Sequence, residues 1–501
     1  MMHSSTDPAI RRLVAGVLWP GFLGRSAPDW LLRELDCGLA GAVYFGQNIN
    51  QDDPDQVSTL SRRLAVRPGV LLGIDEEGGR VSRLETARGS TLPSAAQLGR
   101  VDDPALTRAA AAELGRRVRA SGANVALAPV ADVNTNPRNP VIGTRSFGAT
   151  AELVSRHVAA SVHGIQSAGV AACAKHYPGH GDTAVDSHLG LPYVALPGDE
   201  VEAQHLPPFQ AAIDAGIAAI MTSHVVVEAF GDAPATVDAR VLGMLREGGF
   251  TGAIVTDALD MAAIRAQYGS GPGAVRALLA GADLLCLGNP FDHAPAGGVP
   301  SDEAEYAVVR DALLGAVEGG DLPVSVLERA AASVAALSQR VVALAVDAEA
   351  GEPFDAAAVV LEAVVVHGAP ALSGGDRILL DLRDRASGVV GSVAEPFAVA
   401  FGAGRVQVGP LGGRDVVAAL SDALAAVPAD AQPIALVDAV QEGSAQRRAL
   451  GMLAAARPGA IAVNTGLPAP EGLPLDGIDA YGSSRVTAEV VAALTAGAPV
   501  A

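Results

Sequence analysis

The chain has 501 residues, of which 50% are hydrophobic and 18% are charged, and its net charge is −20. This acidic balance argues against a nucleic-acid partner and against an anionic membrane surface, because both call for a basic patch. The hydrophobic share permits a large buried core and excludes a disordered chain. The length predicts two or three domains.

The three cysteines, Cys37, Cys173 and Cys286, are widely spaced in mostly apolar contexts, so they predict neither a disulfide nor a metal centre. The N-terminal stretch MMHSSTDPAIRRLVAGVLWPGF has no long apolar run and no clear signal-peptide cleavage pattern. No stretch reaches the ~18 apolar residues that span a bilayer. We therefore expect a cytoplasmic protein with no membrane partner; the oligomeric state is unknown from the sequence.

Short apolar runs of β-forming residues recur up to about residue 345, with helical patterns between them. The predicted strands are Gly16–Phe22, Ala42–Phe45, Val70–Asp75, Val125–Asp132, Ala172–His176, Ala218–Val226, Ala253–Asp257 and Asp283–Leu287. The predicted helices between them are Ala27–Cys37, Pro54–Val66, Pro104–Ala120, Ala151–Ala168, Pro208–Ala215, Ala235–Glu247 and Gly273–Ala280.

The strands are continuously apolar rather than alternating, as in a parallel sheet that is buried on both faces. Eight strand–helix units over residues 1–345 predict an α/β fold with a (β/α)8 TIM-like barrel. An open doubly wound sheet is the alternative, but eight strands over about 340 residues favour closure.

We predict a linker over residues 346–368 and a smaller C-terminal α/β sandwich domain over residues 369–501. Its expected strands are Arg377–Leu382, Phe397–Phe401, Arg405–Val408, Pro433–Val437 and Ala460–Val463, and its expected helices are Arg414–Ala426, Ser444–Ala456 and Ser484–Ala496. Because this domain contains no cluster of catalytic residue types, we expect a structural or interface role for it.

Polar residues follow the predicted barrel strands at their carboxyl ends, where barrel enzymes place their active sites. They are Asp75 at the end of the third strand, Asp132 at the end of the fourth, Lys175 and His176 at the end of the fifth, Ser223 and His224 near the end of the sixth, and Asp257 at the end of the seventh. Single polar residues at strand ends are usually caps or loop hydrogen bonds, but charged or polar groups from five different elements at one rim favour a catalytic site.

The stretch from Lys175 to His188, KHYPGHGDTAVDSH, contains three of the ten histidines and the only lysine of the chain. Arginine is planar and forked, whereas lysine is a compact point charge. We therefore expect Lys175 to lie where a guanidinium would not fit, although chance alone could also have left a single lysine.

Asp186 and His188 are two residues apart, so in an extended loop they project to the same side. The carboxylate can hold one imidazole nitrogen while the other donates a proton near neutral pH. Asp257, on a different strand, is a separate carboxylate and a candidate nucleophile. A proton donor opposite a carboxylate nucleophile is the arrangement of retaining glycoside hydrolysis, with His188 in place of one carboxylic acid.

Three other interpretations remain open at this point. A structural Asp–His hydrogen bond would merely fix the loop. A metal could bind between His176, His180, Asp182, Asp186 and His188, although the loop is not helical and Lys175 would repel a divalent cation. A non-catalytic sugar-binding module would explain the polar rim but not the Asp–His pair opposite Asp257. We expect no metal and no cofactor.

Four motifs, GIDEEGGRVSRL, NPVIGTRSFG, KHYPGHGDTAVDSHLGLP and VTDALDM, resemble the ordered motif set of glycoside hydrolase family 3. The closest branch is that of the bacterial NagZ-type β-N-acetylglucosaminidases (β-N-acetylhexosaminidases). The resemblance covers residues from about 10 to 345.

The resemblance implies that His188, held by Asp186, is the acid/base and that Asp257 is the nucleophile. It also implies that Asp75, Arg83, Arg145, Lys175 and His176 bind the sugar of the −1 subsite. The Asp–Ser–His loop narrows the implied substrate to small-molecule N-acetylglucosaminides, with muropeptides and peptidoglycan turnover as the expected context.

The chain has about 150 residues more than the single-domain members that recycle muropeptides, and two-domain members of this branch also exist. Some relatives are phosphorylases. A carboxylate acid/base is negative once it has donated its proton and would repel an incoming phosphate, whereas His188 would then be neutral. We expect hydrolysis, with a β-N-acetylglucosaminide phosphorylase that uses phosphate as acceptor as the alternative.

Overall fold

The computed structural model describes residues 7–185, 190–290, 301–351, 353–383, 396–411 and 414–497. The chain divides into two compact units. The first unit comprises residues 1–76, 107–135 and 149–353, and the second comprises residues 77–106, 136–148 and 354–501. The domain boundaries expected at 345 and 369 stay a prediction.

The described residues form 18 strands. In chain order they are β1 (Leu18–Trp19), β2 (Gly41–Tyr44), β3 (Leu71–Ile74), β4 (Glu76–Gly78), β5 (Val81–Ser82), β6 (Val125–Ala126), β7 (Ala171–Tyr177), β8 (Tyr193–Val194), β9 (Ala219–Thr222), β10 (Val226–Val227), β11 (Ala253–Val255), β12 (Leu285–Cys286), β13 (Val365–His367), β14 (Arg377–Asp381), β15 (Gly404–Gln407), β16 (Gln432–Ala439), β17 (Ile461–Leu467) and β18 (Gly477–Asp479).

Helices alternate with these strands. They are α1 (Pro8–Ala15), α2 (Asp29–Asp36), α3 (Gln56–Leu64), α4 (Ala95–Val101), α5 (Pro104–Ala120), α6 (Ala151–Ser167), α7 (Gly198–Gln204), α8 (Pro207–Asp214), α9 (Ala239–Glu247), α10 (Ala262–Arg265), α11 (Ser270–Ala280), α12 (Asp302–Gly319), α13 (Val324–Val346), α14 (Ala356–Ala363), α15 (Pro396–Phe401), α16 (Val416–Ala425), α17 (Ala445–Ala456) and α18 (Arg485–Thr495). Short 3-10 helices cover Gly46–Asn48, Gly143–Arg145 and Ala235–Val237.

The first unit is built on a curled sheet in which β2, β3, β6, β7, β9 and β11 pair in parallel, in that order. A separate parallel pair joins β1 to β12. All eight strands lie within or overlap the eight ranges predicted from the sequence, so these strand predictions are confirmed. Apolar side chains such as Trp19, Leu71, Met221 and Val255 form the core.

The carboxyl ends of these parallel strands meet at one edge of the sheet. Asp75 directly follows β3, Lys175 and His176 lie near the end of β7, and Asp257 comes two residues after β11. This arrangement brings the charged residues predicted from strand ends to a common edge.

The second unit has a six-stranded sheet in the order β13, β18, β17, β16, β14, β15. All neighbours in it are parallel except β13, which runs antiparallel to β18. The range expected as a linker contains α14 and β13, which the sequence pattern did not reveal. The helices α16, α17 and α18 overlap the three predicted helices of this region.

The prediction of a strand over Phe397–Phe401 is wrong, because this segment is the helix α15. Phe397 and Phe401 are both buried, and their rings stack 6.5 Å apart. Val399, between them, is 82% exposed. Burial that repeats after four residues is the periodicity of a helix rather than that of a strand.

Helix α13 is the one helix of the described residues that is long and apolar enough to cross a membrane by length and composition. This corrects the expectation that no stretch reaches that length. The helix buries one face, with Leu327, Val334, Leu337 and Val341, in the first unit. Core helices pass the same test, so α13 is weak support for a membrane span.

Candidate active site

Lys175 lies in β7, the longest strand of the first unit's sheet, and all seven residues of that strand are buried. Its Nζ donates a hydrogen bond to Oδ1 of Asp75 at 2.6 Å, and the lysine side chain is only 3% exposed. Strand β6 lies between β3 and β7 in the sheet, so the long lysine side chain joins two strand ends across a neighbour. The structure thus brings together two of the predicted sugar-binding residues.

His176 is held by Asp132, a residue that follows β6 and has no exposed surface. Nδ1 of His176 lies 2.7 Å from Oδ2 of Asp132, and the backbone N–H of His180 donates to Oδ1 at 2.7 Å. Burial alone would raise the pKa of Asp132, but the charges and hydrogen bonds of His176 and His180 outweigh it and lower the pKa to about 2. Asp132 is therefore ionised in the folded protein at neutral pH and acts as a fixed acceptor.

The loop after β7 is fastened to the segment that follows β6. A Cβ on Gly181 would lie 1.8 Å from the carbonyl oxygen of Val133, so only glycine permits this close approach. One residue further on, the hydroxyl of Thr135 donates to Oδ1 of Asp182 at 2.7 Å. The described part of this loop ends at residue 185, and the predicted Asp186–His188 pair lies outside the described residues.

His180 contributes to the same loop as a buried, neutral side chain. Burial lowers its pKa to about 4. The hydroxyl of Thr183 donates to the carbonyl of His180 at 3.0 Å, and Nδ1 of His180 lies 2.7 Å from the same hydroxyl oxygen. Since that hydroxyl proton is used on the carbonyl, Nδ1 is the protonated nitrogen of this ring.

Asp257 is partly exposed, and its Oδ1 accepts a hydrogen bond from the backbone N–H of Ala258 at 2.8 Å. Its charge reaches the buried thiol of Cys173 in β7. Burial, with help from the charges of Asp75 and Asp257, raises the pKa of that thiol to about 12, against a lowering by Lys175. The charges of Asp75, Lys175 and Asp257 thus all influence the pKa of this one thiol.

The sequence did not predict a network of threonine hydroxyls that begins at the backbone N–H of Asp257. The backbone N–H of Asp257 donates to the hydroxyl of Thr222 at 3.4 Å, and that hydroxyl lies 2.7 Å from the hydroxyl of Thr236. The ring of His224 joins the hydroxyl of Thr236 to the carbonyl of Ala258, with 2.8 Å at each nitrogen. His224 was noted at a strand end, but single threonines carry no signal in a sequence.

The other two predicted sugar-binding residues, Arg83 and Arg145, belong to the second unit. Arg145 forms a two-pronged ion pair with Glu77, with both N–O distances 2.8 Å and both side chains 7% exposed. Its Nη1 also donates to the carbonyl of Val141 at 3.1 Å. Arg83 is 7% exposed. Glu77 was not predicted, although two glutamates directly after Asp75 could have indicated a further charged residue at this strand end.

Within the part of the chain that the structure describes, no group of three or more histidine, cysteine, aspartate or glutamate residues is arranged to hold a metal ion. The metal alternative included Asp186 and His188, which lie outside that part. The buried rings of His176 and His180 are instead held by Asp132 and Thr183.

Residues 33–337 match the family model for the glycosyl hydrolase family 3 N terminal domain. A beta-hexosaminidase of Stenotrophomonas maltophilia is 36% identical over 272 residues, which are 52% of this chain and 79% of that protein. Beta-hexosaminidase LpqI of Mycobacterium tuberculosis is 34% identical over 274 residues, 53% of this chain and 67% of that protein.

Beta-hexosaminidase A of Pseudoalteromonas piscicida is 34% identical over 51% of this chain; the match spans 46% of that relative, less than half its length. Among solved structures, a glycoside hydrolase family 3 beta-N-acetylglucosaminidase from Paenibacillus sp. superposes with a TM-score of 0.80 and 31% identity, over 97% of this chain and 96% of that one. The resemblance predicted from the four motifs is confirmed by these matches.

Proposed function

Because the chain belongs to glycosyl hydrolase family 3, we propose that it is a retaining β-N-acetylhexosaminidase that releases terminal β-linked N-acetylglucosamine. The observation that carries this proposal is the 2.6 Å hydrogen bond between Lys175 and Asp75 at the sheet edge where Asp257 follows β11. The names of the relatives and of the Paenibacillus structure support the choice of sugar.

Asp257 is the nucleophile of this proposal. A carboxylate oxygen of Asp257 attacks the anomeric carbon while the bond to the leaving oxygen breaks, which gives a covalent glycosyl-enzyme. His188, oriented by Asp186, donates the proton that the leaving oxygen takes up. It then removes a proton from water, and the resulting attack on the same carbon releases the sugar and restores the carboxylate.

The sugar is held in this proposal by Asp75, Lys175 and His176. Asp132 occupies Nδ1 of His176 and leaves Nε2 as the nitrogen that can meet a substrate hydroxyl. The Lys175–Asp75 pair offers a donor and an acceptor next to each other, as neighbouring hydroxyls of a sugar require. The assignment of Arg83 and Arg145 to the same sugar comes from the family resemblance.

The proposal extends to the architecture. Single parallel bridges, Gly21–Val43 and Val255–Leu284, join the edge strands β2 and β11 to the β1–β12 pair. These bridges support a closed (β/α)8 barrel as the catalytic domain, with a C-terminal α/β sandwich domain after it. Muropeptide substrates, a role in peptidoglycan turnover and a cytoplasmic location are proposed from the resemblance alone.

Turnover of an aryl β-N-acetylglucosaminide, with and without millimolar phosphate, tests the proposed function. We expect free N-acetylglucosamine with the β configuration retained in the first-formed product, at a rate that phosphate leaves unchanged. Formation of N-acetylglucosamine 1-phosphate would show that the protein is a phosphorylase and not a hydrolase. No turnover of any aryl N-acetylhexosaminide would reject the proposal.

A further inference from the structure

Gln97 in α4 is fully buried, and each of its polar atoms has a partner in the second unit. Its Nε2 donates to the carbonyl of Ala480 at 2.7 Å and to the hydroxyl of Thr487 at 2.9 Å. Its Oε1 accepts from the backbone N–H of Ser94 at 2.9 Å. A buried amide with all its hydrogen bonds made fixes its neighbours, because breaking any one leaves a polar group unpaired.

Residues 480–487, which we name the C-terminal anchor, bind the segment before α4 at further points. The hydroxyl of Ser94 donates to the carbonyl of Tyr481 at 2.5 Å. The backbone N–H of Arg485 donates to the carbonyl of Ser90 at 2.8 Å. The guanidinium of Arg100 lies 5.1 Å from the centre of the Tyr481 ring. Residues 90–100 are therefore fastened to the anchor along their length.

The segment that carries Arg83 packs on this fastened part. The backbone N–H of Gly79 donates to the carbonyl of Leu92 at 3.2 Å. The carboxylate of Glu85 accepts from the backbone N–H of Thr91 at 2.8 Å and from its hydroxyl at 2.9 Å. Hydrogen bonds thus tie the turn on both sides of Arg83 to residues 91 and 92, and only Pro93 separates these from Ser94.

Helix α4 also supports the segment that carries Arg145. A Cβ on Gly99 would lie 1.8 Å from the carbonyl oxygen of Phe147, so the helix backbone lies directly against that residue. Phe147 is two residues after Arg145, whose guanidinium is paired with Glu77. A shift of α4 would therefore displace the backbone beside Arg145.

We infer that the C-terminal anchor is a positioning element for Arg83 and Arg145, acting through Gln97 and α4. The inference rests on the proposed function, in which these two arginines bind the sugar. It also gives the C-terminal part of the chain a specific task, since the anchor holds segments that precede it by almost 400 residues.

Two substitutions at one position test the inference. Thr487→Val removes the hydroxyl that Gln97 needs but keeps the side-chain shape, and Thr487→Ser keeps the hydroxyl. We expect Thr487→Val to raise KM for an aryl β-N-acetylglucosaminide about tenfold with a smaller change in kcat, because misplaced binding groups weaken substrate binding. We expect Thr487→Ser to behave like the wild type.

Gln446→Leu is the matched control. Gln446 is another buried glutamine of the second unit, and its amide bonds the backbone and side chain of Asp438. We expect this variant to lose thermal stability, as Thr487→Val does, but to keep the wild-type KM. An equal rise of KM in Gln446→Leu, or an unchanged KM in Thr487→Val, would overturn the inference.

Hydrogen exchange measured by mass spectrometry provides a readout that needs no activity. We expect Thr487→Val to exchange faster than the wild type in peptides covering residues 79–101 and 141–148, and Gln446→Leu to match the wild type there. Unchanged exchange in Thr487→Val rejects the inference whatever the enzyme's substrate. An inactive wild type with faster exchange in Thr487→Val would reject only the proposed function.

Discussion

The carboxylate of Asp132 lies 2.7 Å from Nδ1 of His176, and no surface of Asp132 is exposed. The same carboxylate accepts a hydrogen bond from the backbone of His180, which starts the loop toward residues 186–189. One buried charge therefore fixes both a predicted sugar-binding ring and the base of the loop with the predicted acid/base.

Asp132→Asn should lower kcat/KM by on the order of a hundredfold, because the amide cannot hold the ring and the loop as a carboxylate does. Steady-state kinetics on an aryl N-acetylglucosaminide measure this. The control is Asp415→Asn, which changes a helix-capping carboxylate of α16. Equal losses in both variants would contradict a specific role for Asp132.

The stability effect of Asp132 should depend on pH in a defined direction. Its folded-state pKa, about 2, lies below the unfolded value of about 3.9. The stabilisation is therefore complete above the unfolded value and is lost as the pH falls through about 2. The thermal midpoint of the wild type should exceed that of Asp132→Asn by a constant amount from pH 7 to 5, and the gap should close toward pH 2. A gap that is the same at pH 3 and pH 7 would argue against an Asp132 carboxylate whose pKa is lowered by folding.

Lys175→Arg should be nearly as damaging as Lys175→Ala, with a loss in kcat/KM of about a hundredfold. The lysine side chain is 3% exposed and its Nζ is 2.6 Å from Asp75, so a broad, planar guanidinium would have to displace its surroundings. The reverse exchange Arg33→Lys, at a position 63% exposed, is the control and should have no effect. A fully active Lys175→Arg enzyme would mean that the single lysine is a matter of chance.

Asp257→Ala should lose several orders of magnitude in rate, on the order of 10⁴-fold or more, since the covalent route is removed. A fluorinated substrate that accumulates the glycosyl-enzyme, followed by mapping of the labelled peptide, identifies the nucleophile. Asp238→Ala, which removes the N-terminal cap of α9, should cost stability but leave the rate unchanged. A label on a peptide without Asp257 would refute the assignment.

Asp186 and His188 should act as a unit. Removing either should cost a similar factor, and removing both should cost little more, as for coupled catalytic groups. Substrates with very good leaving groups need less proton donation and should be less affected in the glycosylation step. Losses that add up in the double variant would count against the pair.

The sequence predicted the strands of the first unit well, because a strand that is buried on both faces leaves a continuous apolar run. It predicted the rim residues for a related reason: charged residues such as Asp75, Lys175 and Asp257 interrupt those runs at one end. Thr222 and Thr236 escaped prediction, because a hydroxyl that hydrogen-bonds in a core looks like any other threonine. Helix α15 was misread because five apolar residues are too few to separate a buried strand from a helix.

The fastening of residues 77–106 to the C-terminal anchor could not be predicted from one sequence. Gln97 and Thr487 are separated by 390 positions, and neither lies in a motif. Chain order assigned Gln97 to the barrel, since it lies between two barrel strands. Only the folded chain reveals that a polar contact of this kind connects α4 to the distant helix α18.

Because Lys175 is buried, chemical labelling of its side chain can report how often this part of the protein opens. The protein has a single ε-amino group among 501 residues, and it is buried against Asp75 at the end of β7. A reagent that acylates primary amines should modify this side chain only when the strand end opens, so the slow phase of labelling gives the frequency of that opening. A substrate analogue that binds beside Lys175 should slow this phase, so ligand binding can be followed without any turnover.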